Sequence, residues 1–200
     1  MRLCCATGLS WTMVLFSLLS LSTAGAQSLA PARADHYWRR FTIGFVSSIL
    51  AHEAAHFATA MAVGAHPYVG LDKGRPTVFS GIDTENEPHK QFLFSAAGLT
   101  TQAVIDEAIL DVPHSAGGPI ERGILAGGIA TTLFYITLGR NASVSDISFM
   151  ARTSSLSKTQ LSLIFGGVSA IQAWRISRDP RYDHFFVRPV GDGAAVGFSF

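Results

Sequence analysis

The sequence predicts an all-α membrane protein, a small bundle of about four apolar helices with a short β-hairpin inserted between the first two. Charged residues make up 14% of the 200-residue chain, whereas about 25% is usual in soluble domains. The mean hydropathy is positive and glycine is frequent. This composition excludes a disordered chain. The 15 basic and 14 acidic residues form no basic cluster, so we expect no nucleic-acid partner.

The first 26 residues have the pattern of a secretory signal peptide. Arg2 precedes an apolar run over residues 9–21, and the small residues 24–26 form a cleavage site. An uncleaved first membrane helix is the alternative. The two cysteines, Cys4 and Cys5, lie in this segment, so the mature chain has no thiol ligand and no disulfide.

We expect the mature chain, residues 27–200, to form one membrane-embedded domain. A polar lead (27–40) precedes a helical core (41–175), and a polar tail (176–200) follows it. The core contains four apolar runs, which are residues 41–65, 91–110, 123–139 and 161–174. The first run has 25 residues, enough to span a bilayer. We therefore expect a multi-pass protein of a bacterial inner membrane, in contact with the lipid bilayer.

Two hairpins are predicted from alternating apolar residues that flank turn-forming residues. One has strands near 68–71 and 77–82, between the first two apolar runs. The other has strands near 185–190 and 194–200, in the tail.

The first apolar run contains the motif HExxH as His52, Glu53 and His56. On a helix, residues four apart share a face, so both imidazoles can bind one metal ion. Zinc binds imidazole in a tetrahedral site and, in hydrolases, lowers the pKa of a water molecule that a carboxylate then deprotonates. The motif therefore predicts a Zn²⁺ site with His52 and His56 as ligands and Glu53 as the general base.

HExxH inside an apolar helix resembles the site-2 protease family of intramembrane zinc metallopeptidases. Residues 95–102 are similar to the family's small-residue signature on the next helix, with Gln102 near the usual Asn and Leu99 where the family has Pro. The segment 141–147 is similar to the one that supplies the family's third zinc ligand. The resemblance implies that Asp146 is this ligand. We assign Gln102 to substrate binding, with a hydrogen bond to a neighbouring helix as the alternative.

The function that this resemblance implies is that of a zinc-dependent intramembrane endopeptidase. It would hydrolyse a peptide bond in or near a transmembrane segment of a membrane protein substrate. Glu53 would transfer the proton of the attacking water to the leaving amine. The strand-forming segment 68–82 would hold the substrate by strand addition.

Two alternatives remain open on sequence alone. Glu107 and Asp111 form ExxxD, which resembles the gluzincin pattern, so Glu107 is a rival third ligand. His66 is a further candidate. The other alternative is a non-catalytic membrane protein that keeps the fold as a binding or regulatory module.

Overall fold

The computed structural model describes residues 31–72, 74–114, 117–142, 144–190 and 193–198. The predicted signal peptide, residues 1–26, lies outside them. The described residues form five helices and two antiparallel hairpins. In chain order the elements are α1 (Pro31–Ala62), β1 (Tyr68–Asp72), β2 (Arg75–Phe79), α2 (Pro88–Asp111), α3 (Pro119–Ile136), α4 (Asp146–Arg152), α5 (Lys158–Arg178), a 3₁₀ turn (Pro180–Tyr182), β3 (Phe185–Val190) and β4 (Gly193–Phe198).

Helix α1 starts ten residues before the first apolar run and includes most of the predicted polar lead. The helix extends to the N-terminal side of the apolar run because Tyr37, Phe41 and Phe45 stack on one another at four-residue spacing. Pairs at this spacing stabilise a helix through side-chain contact. The two histidines of the motif therefore lie in the C-terminal half of a 32-residue helix.

Glycines hold α1 and α3 close together. A Cβ atom on Gly123 would lie 2.1 Å from the carbonyl oxygen of Phe41, and one on Gly44 would lie 1.9 Å from that of Ile120. Only glycine permits this approach of two backbones. Gly44 and Gly123 thus have a packing role, and their contact fixes the face of α1 that is buried.

Both predicted hairpins are present. In the first, Tyr68 pairs with Phe79 and Gly70 with Thr77. In the second, Phe185 pairs with Phe198. Although residues 176–200 were predicted as a polar tail, Tyr182 and Phe198 are buried in the core beside α3.

A second cluster of buried side chains joins α2, α3, α4 and α5 next to the histidines. Its members are Leu99, Tyr135, Ile147, Met150 and Leu161. Helix α4 lies between the third and fourth apolar runs of the sequence. Ile147 and Met150 anchor this short helix in the core, and its first residue, Asp146, is thereby placed against α1.

The prediction of an all-α, membrane-embedded bundle is wrong. Across the residues that the structure describes, none of the helices combines the length and the apolar character needed to cross a membrane. The longest, α1, carries His52, Glu53 and His56 in its apolar half, and α3 has Glu121 and Arg122 close to its N-terminus. The predictions of transmembrane helices and of a multi-pass location in a bacterial inner membrane are therefore also wrong. Large apolar side chains remain exposed on α1 and α5, so the apolar runs only partly enter the core.

Candidate metal centre

Three potential metal ligands meet where α4 begins against α1. His52 and His56 lie one helical turn apart on α1, and Asp146 is the first residue of α4. The His52 Nε2 and His56 Nε2 atoms are 3.0 Å apart, and Asp146 Oδ2 lies 3.2 Å and 3.3 Å from them. All three residues are buried. Each offers one ligand atom to a common point.

The hydrogen bonds behind the two imidazoles orient their lone pairs toward this point. His56 Nδ1 donates to the carbonyl oxygen of Phe94 at 2.6 Å. His52 Nδ1 donates to Gln102 Oε1 at 3.0 Å. The amide of Gln102 is itself oriented, because its Nε2 donates to the carbonyl oxygen of Ser48. A neutral imidazole with its proton on Nδ1 presents a lone pair at Nε2.

Three electron-pair donors within 3.3 Å of one another therefore face a small buried space. The Oδ2 atom of Asp146 makes no hydrogen bond of acceptable geometry with the described residues. Such an arrangement is repulsive unless positive charge is present, either as a cation between the donors or as a proton on an imidazole. In a tetrahedral zinc site, ligand atoms about 2.0–2.1 Å from the ion lie about 3.3 Å from one another. The spacing thus fits, and the buried group of His52, His56 and Asp146 can hold a metal ion.

The pKa shifts of His56 and Asp146 also show that positive charge is favoured at this point. Burial by itself lowers the pKa of His56, but the Asp146 carboxylate, the Phe94 carbonyl and the charge of Glu53 together outweigh burial and raise this pKa to about 9. Burial likewise raises the pKa of Asp146, yet His56 and His52 together hold it below its usual value. A carboxylate that stays ionised when buried is a suitable partner for a divalent cation.

Gly98 makes room for both imidazoles. A Cβ atom on this residue of α2 would lie 2.5 Å from His56 Nε2 and 2.6 Å from His52 Nδ1. These distances are well inside van der Waals contact, and the neighbouring atoms belong to the ligands themselves. The small-residue signature on α2 therefore has a local reason, which is that its backbone forms one wall of the metal centre.

Glu53 lies beside the ligands and contacts the hairpin. Its Oε2 accepts a hydrogen bond from the backbone amide of Val78 at 3.3 Å. Glu53, His56 and Asp146 together line a cavity of about 260 Å³. Strand β2 forms another wall of this cavity, together with aromatic side chains. The lining aromatic residues are Tyr68, Phe79, Phe94, Tyr135 and Phe149.

The structure places the other predicted site residues elsewhere. Gln102 is buried behind His52 and is not among the residues that line the cavity, so its contacts are those of a residue that positions a ligand. Glu107 and Asp111 both pair with Arg175 of α5. His66 lies in the loop after α1 and is outside the ligand group. The gluzincin alternative for the third ligand is therefore not the one that the geometry favours.

Three residues near the metal centre are not predicted from the sequence. The carbonyl oxygen of Phe94 orients His56, and backbone acceptors carry no sequence signal. Tyr135 stacks on His52 with ring centroids 5.4 Å apart and an angle of 15° between the rings. Ser145 lines the cavity beside Asp146. A serine before a helix ordinarily indicates a cap, so this signal points to the helix and not to the cavity.

Comparison of the chain with models of known protein families, with curated proteins and with solved structures finds no match.

Proposed function

We propose that this protein is a zinc-dependent peptidase, with His52, His56 and Asp146 as ligands and Glu53 as the general base. The observation that carries the proposal is the convergence of three oriented lone pairs beside a half-buried glutamate at one cavity. Zinc is favoured among divalent ions because two imidazoles and one carboxylate, with a fourth position open to the cavity, are typical of catalytic zinc.

Zinc bound here would act as a Lewis acid that lowers the pKa of water to about 7. Glu53 would accept the proton of the attacking water and deliver it to the leaving amine. Gln102 and the Phe94 carbonyl would keep the imidazoles in the tautomer that binds the ion. The hydrophobic residues around the centre would limit the access of bulk water.

An extended peptide is the substrate that the cavity supports best. The amide of Val78 faces Glu53, so this edge of β2 points toward the metal centre, and no other described strand pairs with it. A substrate strand could add to such an edge and present its carbonyl groups to the centre. The aromatic lining favours an apolar side chain next to the cleaved bond. The idea that this bond lies in a membrane depended on spanning helices and is not retained.

The test compares wild type with Glu53→Gln on a library of peptides, with cleavage products identified by mass spectrometry. We expect the zinc-loaded wild type to cleave and Glu53→Gln to lose at least about a hundredfold in rate, because the general base is removed while the ligands stay. Both should hold about one zinc per chain.

The matched control is Glu107→Gln, which removes a carboxylate that pairs with Arg175. It should keep both zinc and turnover. Equal cleavage by wild type and Glu53→Gln, or loss of zinc in Glu107→Gln, would contradict the proposal. A protein that binds zinc but cleaves no peptide would instead support a non-catalytic binding role.

A further inference from the structure

Ser145 is a buried residue whose hydroxyl group is not used by the fold. It occupies the position before α4, with φ −150° and ψ 134°, where a serine usually accepts a hydrogen bond from the first turn of the helix. Its side chain makes no such bond. The Oγ atom is buried and has no hydrogen-bond partner among the described residues. Such atoms are rare in folded proteins and call for an explanation.

The position of Ser145 explains why its hydroxyl group has no partner. The residue lines the same cavity as Glu53, His56 and Asp146, and it directly precedes a ligand in the chain. Another serine of the cavity lining is already engaged, since Ser80 Oγ donates to Gln91 Oε1 at 2.8 Å. A serine hydroxyl rotates about a single side-chain bond, so it can turn toward a ligand in the cavity.

We propose that the Ser145 hydroxyl donates a hydrogen bond to the oxygen atom that a substrate presents at the metal centre. This inference rests on the proposed function, and the oxygen is then that of the scissile carbonyl. As water attacks, the carbonyl carbon becomes tetrahedral and its oxygen gains negative charge. The hydroxyl keeps its proton and stabilises that charge by donating a hydrogen bond, which makes Ser145 a catalytic residue.

Ser162 provides a matched comparison. Its Oγ atom is also buried without a partner among the described residues, but it lies on α5 and is not among the residues that line the cavity. Removal of either hydroxyl deletes one oxygen atom that the fold does not use. Only Ser145→Ala should therefore change binding at the metal centre.

The experiment measures the affinity of acetohydroxamic acid, a small oxygen ligand of zinc, for the zinc-loaded protein. We expect Ser145→Ala to weaken binding about tenfold, since one hydrogen bond to a charged ligand is lost. Ser145→Thr, which keeps a hydroxyl group, and Ser162→Ala should bind like wild type. Zinc content should be equal in all four proteins, and the Tm of the metal-free Ser145→Ala protein should not fall.

Two results would overturn the inference while leaving the proposed function in place. One is equal hydroxamate affinity for Ser145→Ala and wild type when both hold zinc. The other is a lower Tm of metal-free Ser145→Ala relative to Ser162→Ala, which would show that Ser145 stabilises α4. Failure of the wild type to bind zinc would overturn the proposed function itself and this inference with it.

Discussion

Two aspartates are buried in the part of the chain that the structure describes, and their surroundings differ. Asp146, with 7% of its surface exposed, faces two imidazoles, and they hold its pKa below the usual value. Asp106, with 1% exposed, packs against Gly128, and its Oδ1 atom has no hydrogen-bond partner among the described residues. Burial, assisted by the nearby charge of Glu107, raises the pKa of Asp106 to about 8.

The comparison shows that burial of a carboxyl group does not by itself make a metal ligand. A buried carboxyl group without a partner takes up a proton and becomes neutral. Asp146 stays ionised because two oriented imidazoles lie within 3.3 Å. The candidate metal centre is therefore a property of the converging group, and Asp106 is an internal control of similar burial.

The largest expected effect comes from breaking the converging group. Asp146→Asn should weaken zinc binding more than about a hundredfold, because loss of a ligand costs more than the 10–100-fold typical of its hydrogen-bond partners. Asp106→Asn should leave zinc affinity within about twofold of wild type. Competition with a chelator of known affinity measures both. Equal losses would mean that Asp146 acts through the fold and does not bind the metal.

A smaller effect is expected when the ligands are displaced but not removed. Gly98→Ala places a methyl group against both imidazoles, so we expect about 10–100-fold weaker zinc binding. The same competition assay applies.

Gly167→Ala is the control, since a Cβ atom there meets nothing within 4 Å. This variant should keep the zinc affinity and gain about 0.5–1 kcal/mol in stability, because alanine is the better helix former. Normal zinc binding by Gly98→Ala would show that the α2 backbone is not a rigid wall of the centre.

The last prediction concerns the pH dependence of stability that Asp106 causes. Its pKa is 3.8 in the unfolded chain and about 8 when folded. Between these values the folded state holds a proton that the unfolded state has lost. The contribution of the Asp106 proton to the free energy of unfolding is therefore fully present below pH 3.8. It is lost as the pH rises from 3.8 through 8, by at most about 1.4 kcal/mol per pH unit.

Asp106→Asn removes this titration. Urea unfolding of the metal-free proteins at several pH values between 4 and 9 should show wild type losing stability relative to the variant as the pH rises. A constant difference across this range would mean that Asp106 is not a buried neutral acid.

The sequence predicts the part of the candidate metal centre that lies on a single helix. His52, Glu53 and His56 lie within one helical turn, so their relative positions follow from helix geometry. Asp146 is 90 residues away from His56 in the chain, and only a resemblance to a protease family pointed to it. Its placement depends on how α4 packs, which no spacing rule provides.

The membrane prediction is wrong because the apolar runs are long but their mean hydropathy is too low for a membrane span. The first run includes alanine, glycine, serine and threonine beside three ionisable residues, so no helix built on it is apolar enough. The prediction that Gln102 binds substrate is not confirmed. A polar residue on a helix of small residues can face either a cavity or a neighbouring side chain. The structure places Gln102 against His52. The sequence alone does not distinguish a residue that faces a cavity from one that contacts a neighbouring side chain.

The ligands of the proposed zinc centre come from two distant parts of the chain, α1 and α4, so an ion bound there would cross-link a long loop. The unfolded chain cannot offer this group, and binding would therefore draw the population toward the folded state. At a free zinc concentration of 100 times Kd, the gain is about 2.7 kcal/mol. Lifetime in a cell would then follow zinc supply, with starvation exposing the chain to proteolysis.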